Sequence, residues 1–281
     1  MILIADSGLT KTDWRLVLNE NNIISFETKG LSPFFCSDDD YRIALQDAFP
    51  RDIEPSKVTH LFFYGSGCAG EEKGQKAQQA LELLFVNASV NAFSDLLGAA
   101  RSLFADSRGV IAILGTGSNI AFYDGESVIH RTPSLGFVLG DEGSGAFIGR
   151  HLLQSYFYGL MPNSLAEKFR SKYNVDLSAV LDKVYAQPKP SAYLASFVPF
   201  IKDNINEEFM HQLVYSAFAA LYDKHLKVIP ELSSFGLGVI GSIGTVFKDI
   251  LNEVATDKNF EIKGFLQYPI ESLVRYHIAR N

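Results

Sequence analysis

The chain has 281 residues, 47% hydrophobic and 20% charged, the balance of an ordinary globular protein and not of a disordered or collagen-like one. The length exceeds the ~100–200 residues of a usual domain and suits two domains or one large barrel. Lys and Arg number 25 against 32 Asp and Glu, a formal charge of -7, so no basic face to hold a nucleic-acid backbone is expected.

In chain order, the apolar run Ile2–Ala5 predicts a strand that stops at the turn Asp6-Ser7-Gly8-Leu9-Thr10-Lys11-Thr12. Trp14, Leu16 and Leu18 alternate with Asp13, Arg15 and Val17, as in a second strand with one better-buried face. Ile23–Thr28 reads as a third strand, and Tyr41, Leu45 and Phe49 at four-residue spacing predict a helix over Asp38–Phe49. A buried strand at His60–Tyr64 and a helix over Glu71–Phe85 follow, then a short segment Asn87–Phe93 and a helix opening at Asp95. Val110–Leu114, the turn Gly115-Thr116-Gly117-Ser118-Asn119 and Ile120–Tyr123 repeat the strand–turn–strand opening of the chain, which predicts two similar halves. The second half adds Gly140-Asp141-Glu142-Gly143-Ser144-Gly145 before a helix near Ala146, and a long helix over Glu207–Lys227. A strand at Gly236–Ile240, a turn at Gly241–Thr245 and a helix over Val246–Val254 complete the reading. Pro188 and Pro190 break any helix between Tyr185 and Pro190.

No run reaches the ~18 apolar residues of a membrane helix, and Asp6 ends the opening apolar run without the pattern of a secretory signal. No membrane association and a cytoplasmic location are therefore expected. Cys36 and Cys68 are too few for a metal cage and are expected as free thiols of a reducing compartment. The six histidines show no metal-ligand spacing, and His211 and His225 are expected on the polar side of their helix. The aromatic segment Tyr156-Phe157-Tyr158 is a candidate homodimer surface.

Of the 22 glycines, fifteen fall in five short windows, where the backbone must turn tightly or approach a ligand. The two Gly/Thr/Ser turns, at Gly8 and Gly115, can aim backbone N–H groups and hydroxyls at phosphate oxygens; ordinary hairpins use the same residues. Asp6 beside the first turn is placed to meet a Mg²⁺ ion that touches the phosphates. A P-loop is excluded, since no G-x-x-x-x-G-K-[ST] occurs. Gly65-Ser66-Gly67-Cys68-Ala69-Gly70 fits a substrate-lining loop, a plain turn or part of a dinucleotide fingerprint, though the acidic residue expected ~20 positions on is missing. Asp95 alone is an ordinary helix N-terminal acid. The adjacent carboxylates Asp141 and Glu142 among glycines suit the gripping of hydroxyl groups.

Taken in order, the segments at Asp6–Thr12, Ser94-Asp95, Leu114–Asn119, Gly140–Gly145 and Val239-Ile240-Gly241-Ser242-Ile243-Gly244 resemble the motifs of the N-acetylglucosamine kinases. These belong to the BadF-type ATPase branch of the sugar-kinase, heat-shock ATPase and actin superfamily. The resemblance runs from residue 2 to about residue 250.

It implies an α/β protein of two ribonuclease-H-like (actin-like ATPase) domains around a central cleft, residues 1–108 and 109–281, the last helix packing back on the first domain. It also implies transfer of a phosphoryl group from ATP, with Mg²⁺ held at Asp6, to an N-acetylated amino sugar at its 6-position. Asp95 matches the catalytic base. Gly8, Thr10, Lys11, Gly115, Thr116 and Gly117 match groups around the phosphates, and Gly241, Ser242 and Thr245 border the adenosine. Ser118, Asn119, Gly136 and Asp141 match sugar contacts, joined by Ser66 and Gly67 if the loop there lines the substrate. Gly30-Leu31-Ser32-Pro33-Phe34-Phe35 offers Ser32 and two Phe where the family commonly has an asparagine, which leaves N-acetylmuramic acid as an alternative acceptor. A nucleotide-dependent ATPase or sensor is the alternative outside sugar chemistry, and a dinucleotide-dependent oxidoreductase a third.

Overall fold

The computed structural model describes residues 1–8, 10–130 and 132–280, with the backbone but not the side chain of Glu71. The chain divides into two compact units: Met1–Ser107 with Gly125–Val128 and Tyr268–Asn281, and Arg108–Asp124 with Ile129–Gln267. The first unit carries a five-stranded sheet of β1 (Ile2–Ser7), β2 (Lys11–Asn19), β3 (Asn22–Lys29), β4 (His60–Gly65) and β5 (Ser89–Ser94), in the order β3-β2-β1-β4-β5. The second sheet holds β6 (Gly109–Leu114), β7 (Ser118–Tyr123), β8 (Val128–Ile129), β9 (Leu237–Ile240) and β10 (Ile262–Leu266), in the order β8-β7-β6-β9-β10. In each sheet the opening strand pairs antiparallel with its hairpin partner and parallel with the strand on its other side. The repeat seen at the two Gly-rich turns is thus a repeat of sheet topology.

In the first unit, β1 is covered on both faces, which is why it reads as an unbroken apolar run. Leu3 and Ala5 join Trp14, Leu16 and Phe63 in one core with the helices Asp38–Ala48 and Glu71–Glu82. Trp14 is fully buried and stacks on Phe26, ring centroids 5.8 Å apart, while its indole N–H donates to Thr28 Oγ1 at 3.0 Å. Ile4 faces the other way, with Tyr64 and the Ile270, Leu273 and Val274 side of the terminal helix Ile270–Ile278. By the two-residue period of a strand, Asp6 shares the face of Ile4. The helix Asp95–Phe104 packs against β1, β4, β5 and that terminal helix.

The second unit buries one large core around Val110, Ala112 and Leu114 of β6, Leu152 of the helix Gly145–Phe157 and Phe218 of the helix Glu208–Lys224. Three expectations are corrected. The expected turn at Gly241–Thr245 is a short helix, Ser242–Val246, for which Gly241 is the N-cap. The long helix stops at Lys224, followed by a 3₁₀ turn at Leu226–Val228, because His225 leaves the helical conformation. Of the aromatic triplet only Tyr158 is exposed; Tyr156 and Phe157 pack on the core, Tyr156 with its ring centroid 4.9 Å from that of Phe169. Both cysteines are buried free thiols, and burial pushes Cys68 up to about 12, so it packs as a neutral side chain. Among the described residues no helix is long and apolar enough to cross a membrane.

The terminal helix is held by polar contacts as well as apolar ones. His277 is 3% exposed, its ring stacked 3.7 Å from Phe62, with Nε2 2.9 Å from Tyr64 Oη. Arg101 donates to the same Tyr64 oxygen at 2.9 Å. Burial, then Arg101 and Arg280, depress the His277 pKa to about 3. A folded pKa below the unfolded value gives stability that is full above the unfolded pKa of about 6.5 and declines as pH falls toward the folded one. Lowering the pH from 7 to 4.5 should therefore remove about 2–3 kcal/mol through this residue. Thermal unfolding across that range should fall less steeply in His277→Gln; equal slopes would show that His277 is not the group responsible.

Candidate active site

In the first unit, the hairpin from β1 to β2 is closed by the Gly8 N–H donating to the Lys11 carbonyl at 3.0 Å. That amide is occupied within the turn, while Gly8 and Thr10 are exposed at its tip. Leu9 of the motif lies outside the described residues. Ser7 and Thr12, by contrast, are buried. Their hydroxyls lie 2.7 Å apart; Ser7 Oγ donates to the Leu31 carbonyl at 3.0 Å, and the Leu31 N–H donates back to Ser7 Oγ and Thr12 Oγ1 at 3.1 and 3.2 Å. These hydroxyls tie the turn to the segment after β3. The Lys11 ammonium sits 2.9 Å from Glu27 and 3.0 Å from Asp13, and those carboxylates hold its pKa above the usual lysine range.

Asp6 stands at the end of β1, and Asp95 directly follows Ser94, the last residue of β5, where the parallel strands of this sheet end. Ser94 caps the helix, its Oγ accepting from the Leu97 N–H at 3.2 Å, and Asp95 Oδ1 accepts from the Leu96 N–H at 2.8 Å. A strand that hands over to a capped helix thus fixes the Asp95 backbone. Burial, then the negative charges of Asp95 and Asp13, push Asp6 up to about 7, with Lys11 opposing. Asp95, across β4 from Asp6, adds to the negative charge that a hard divalent cation held at Asp6 would relieve, since Mg²⁺ is bound through one or two carboxylates with water and phosphate oxygens.

The loop after β4 is anchored by the Ser66 N–H donating to the Ser7 carbonyl at 2.9 Å. Gly67 has φ +94°, and the Phe34 ring and Ser32 Oγ lie against it. Phe34 and Phe35 are exposed, whereas Ser32 is buried with no partner for its hydroxyl.

In the second unit, the Gly115 N–H donates to the Gly117 carbonyl at 3.0 Å, closing the β6–β7 turn as Gly8 closes the first. The carbonyls of Gly115 and Thr116 accept from the Gly145 and Ala146 N–H groups at 2.8 and 3.0 Å, docking this turn onto the start of the helix Gly145–Phe157, which Ser144 caps. Asp141 is buried at φ +59°. Burial and Glu142 raise its pKa, opposed by the Ser118 N–H bound to its carboxylate and by Arg150 and His225. Ser118, Asn119 and Asp141 line one small pocket with Thr132, Ser134 and His225. Asn119 Oδ1 is buried there without a partner. Gly136, at φ +71°, opens the short helix Gly136–Leu139 that follows this lining.

At the third motif, Gly241 has φ +110°, and a Cβ there would strike the Leu114 carbonyl. The Thr245 hydroxyl is bound to the Gly241 carbonyl at 2.8 Å, while Ser242 is exposed. Each unit therefore assembles its own expected residues: Asp6, Gly8, Thr10, Lys11, Ser66, Gly67 and Asp95 in the first, and those of the Gly115, Asp141 and Gly241 motifs in the second. Sequence reasoning misses His225: it is half-buried in the pocket, hydrogen-bonded to Thr132 and Glu142, and not on a polar helix face.

A putative N-acetylglucosamine kinase from Porphyromonas gingivalis is 33% identical to the chain, with a TM-score of 0.93, covering 100% of this chain and 99% of that one. The chain belongs to the N-acetylglucosamine kinase family. A second putative N-acetylglucosamine kinase, from Chromobacterium violaceum, is 17% identical and shares the fold, with a TM-score of 0.71 over 98% of each chain. A ROK family glucokinase from Streptomyces griseus, solved with glucose and AMPPNP, shares it at 13% identity and a TM-score of 0.53, over 95% of this chain and 93% of that one. The fold is thus that of the actin-like ATPase sugar kinases. No protein-family model and no curated protein matches the chain.

Within the family motif at Gly115, the two glycines are not equivalent. A Cβ on Gly117 would lie 2.8 Å from Asp141 Oδ2, whereas one on Gly115 meets nothing within 4 Å. Gly117→Ala should lower stability by about 1–3 kcal/mol through overpacking against a buried carboxylate, and Gly115→Ala by less than about 1 kcal/mol. Urea unfolding of the pair would check this; equal losses would refute the close approach of Asp141.

Proposed function

We propose that the protein transfers the γ-phosphoryl group of ATP to the 6-hydroxyl of N-acetylglucosamine. The observation that carries this reading is Asp95, fixed at the end of β5 across β4 from Asp6, whose pKa its charge helps to raise, in a chain 33% identical along its whole length to a putative kinase of that sugar. A half-buried carboxylate on a capped helix is a suitable general base. As the sugar oxygen attacks the γ-phosphorus, its proton passes to Asp95, the bond to the β-phosphate oxygen breaks, and ADP leaves. Asp6 would hold Mg²⁺, which supplies charge neutralisation to the phosphates when bound.

The remaining assignments follow the same reading. Thr10, Thr116 and Gly117, with Gly8, Gly115 and Lys11, surround the phosphates. Because the Gly8 and Gly115 amides close their own turns, these glycines act by shaping the turns, and the hydroxyls and remaining amides meet the anion. Gly241, Ser242 and Thr245 border the adenosine, with the Thr245 hydroxyl holding the helix start. Ser66, Gly67, Ser118, Asn119, Gly136 and Asp141 contact the sugar. We place the boundary between the catalytic domains at residues 108 and 109, and the protein in the cytoplasm; Tyr158 and Leu160, exposed after the helix Gly145–Phe157, are the proposed homodimer contact.

Incubation with Mg-ATP and a panel of hexoses that includes N-acetylglucosamine and N-acetylmuramic acid tests the activity; no sugar-dependent ADP above background overturns it. Asp95→Asn should lower kcat by about 10²–10⁴-fold with ATP affinity nearly unchanged. An equal loss of binding would remove Asp95 as the base.

A further inference from the structure

The pocket lined by Ser118, Asn119 and Asp141 contains a polar relay that the proposed chemistry does not use. His225 Nε2 lies 3.1 Å from Glu142 Oε2, and His225 Nδ1 lies 2.7 Å from Thr132 Oγ1. All three residues are only partly accessible, and Thr132 and His225 line the pocket itself. Glu142 follows Asp141 directly, so the imidazole bridges the segment carrying the acidic residues and the segment after β8. This is a connection between three stretches of chain made by one ring.

The chemistry of the ring sets a direction. A carboxylate only accepts, so the Nε2 facing Glu142 carries a proton, and in the tautomer whose one proton is there Nδ1 is an acceptor. The Thr132 hydroxyl must then donate to Nδ1. Its proton is committed, and its free lone pairs are acceptors. Asn119 adds Oδ1, buried without a partner, and Asp141 adds a carboxylate whose pKa burial has raised. The pocket therefore gathers acceptors and asks for a ligand rich in donors, such as adjacent hydroxyl groups or an amide N–H.

We propose that Thr132 is a sugar-binding residue, accepting a hydrogen bond from a sugar hydroxyl or amide N–H, and that His225 is the positioning residue that, with Glu142, fixes Thr132 as an acceptor. This rests on reading the pocket as the sugar half of a kinase site. His225 touches no reacting atom in this arrangement. It acts on ground-state sugar binding, so its removal should change KM for the sugar and leave kcat and KM for ATP close to their starting values.

The experiment is steady-state kinetics with N-acetylglucosamine for the full chain and for His225→Ala, His225→Gln and Thr132→Val, with thermal unfolding of each. His225→Ala and Thr132→Val should each raise the sugar KM about tenfold, the loss of one hydrogen bond to an otherwise unsatisfied group, with kcat and KM for ATP within about twofold. His225→Gln, which can donate at one end and accept at the other, should recover part of the loss. Among deoxy analogues of the sugar, one should be discriminated against by the wild type and not by Thr132→Val, a readout that a purely structural threonine would not move. An unchanged sugar KM in the variants, or equal losses in sugar KM, ATP KM and kcat, overturns the relay while the kinase reading stands. A wild type inert toward every sugar overturns the kinase reading and the relay with it. Should His225→Ala fail to fold, Thr132→Val and the deoxy series decide.

Discussion

A carboxylate at the end of a strand covered on both faces is costly unless something compensates its charge, and the first unit is organised around that demand. Asp6 sits on the face of β1 that carries the Asp95 helix, so two acids share one region while the nearest ammonium, Lys11, is bound to Glu27 and Asp13. Burial and the charges of Asp95 and Asp13 together raise the Asp6 pKa. The arrangement persists because the backbone allows neither acid to withdraw: Asp6 is fixed by its pairing with Asp13 and Tyr64, and Asp95 by the Ser94 cap. In the proposed phosphoryl transfer, such a negative site would attract a cation when phosphates arrive and offer a base to the sugar hydroxyl.

Behind the acids, the Arg101–Tyr64–His277 contacts hold the far end of the Asp95 helix to the terminal helix. They act over a longer range than the cap and set the lie of the helix, whereas Ser94 sets its start. A buried polar chain of this kind adds uniqueness to the packing as long as every member is satisfied. His277 Nε2 and Arg101 Nη1 both meet the Tyr64 oxygen, each at 2.9 Å.

Much of this is legible in the sequence. Strands β1, β4 and β6 read directly, because strands covered on both faces leave continuous apolar runs, and the helix Asp38–Ala48 reads through Tyr41, Leu45 and Phe49 at four-residue spacing. What escapes has a common cause. A hydroxyl in a Gly-rich turn looks the same whether it faces a ligand or the core, so the structural duty of Ser7 and Thr12 is invisible. Gly241 reads as a turn because its positive φ is a local demand, while the helix after it is held by packing. His225 lies 83 residues from Glu142 and 93 from Thr132, and no spacing rule reaches that far.

The glycine windows divide by what they protect. In both turns the first glycine donates its N–H across the hairpin, so that amide is spent on the shape of the turn. Gly117 acts differently, since the absence of a side chain there lets the Asp141 carboxylate lie against the turn and accept the Ser118 N–H. The Gly115 turn and the Asp141 carboxylate thereby meet in one contact of the second unit, so a shift of either moves the other. The helix reinforces that contact, since the carbonyls of the turn are bound by the first amides of the helix that the acidic segment introduces.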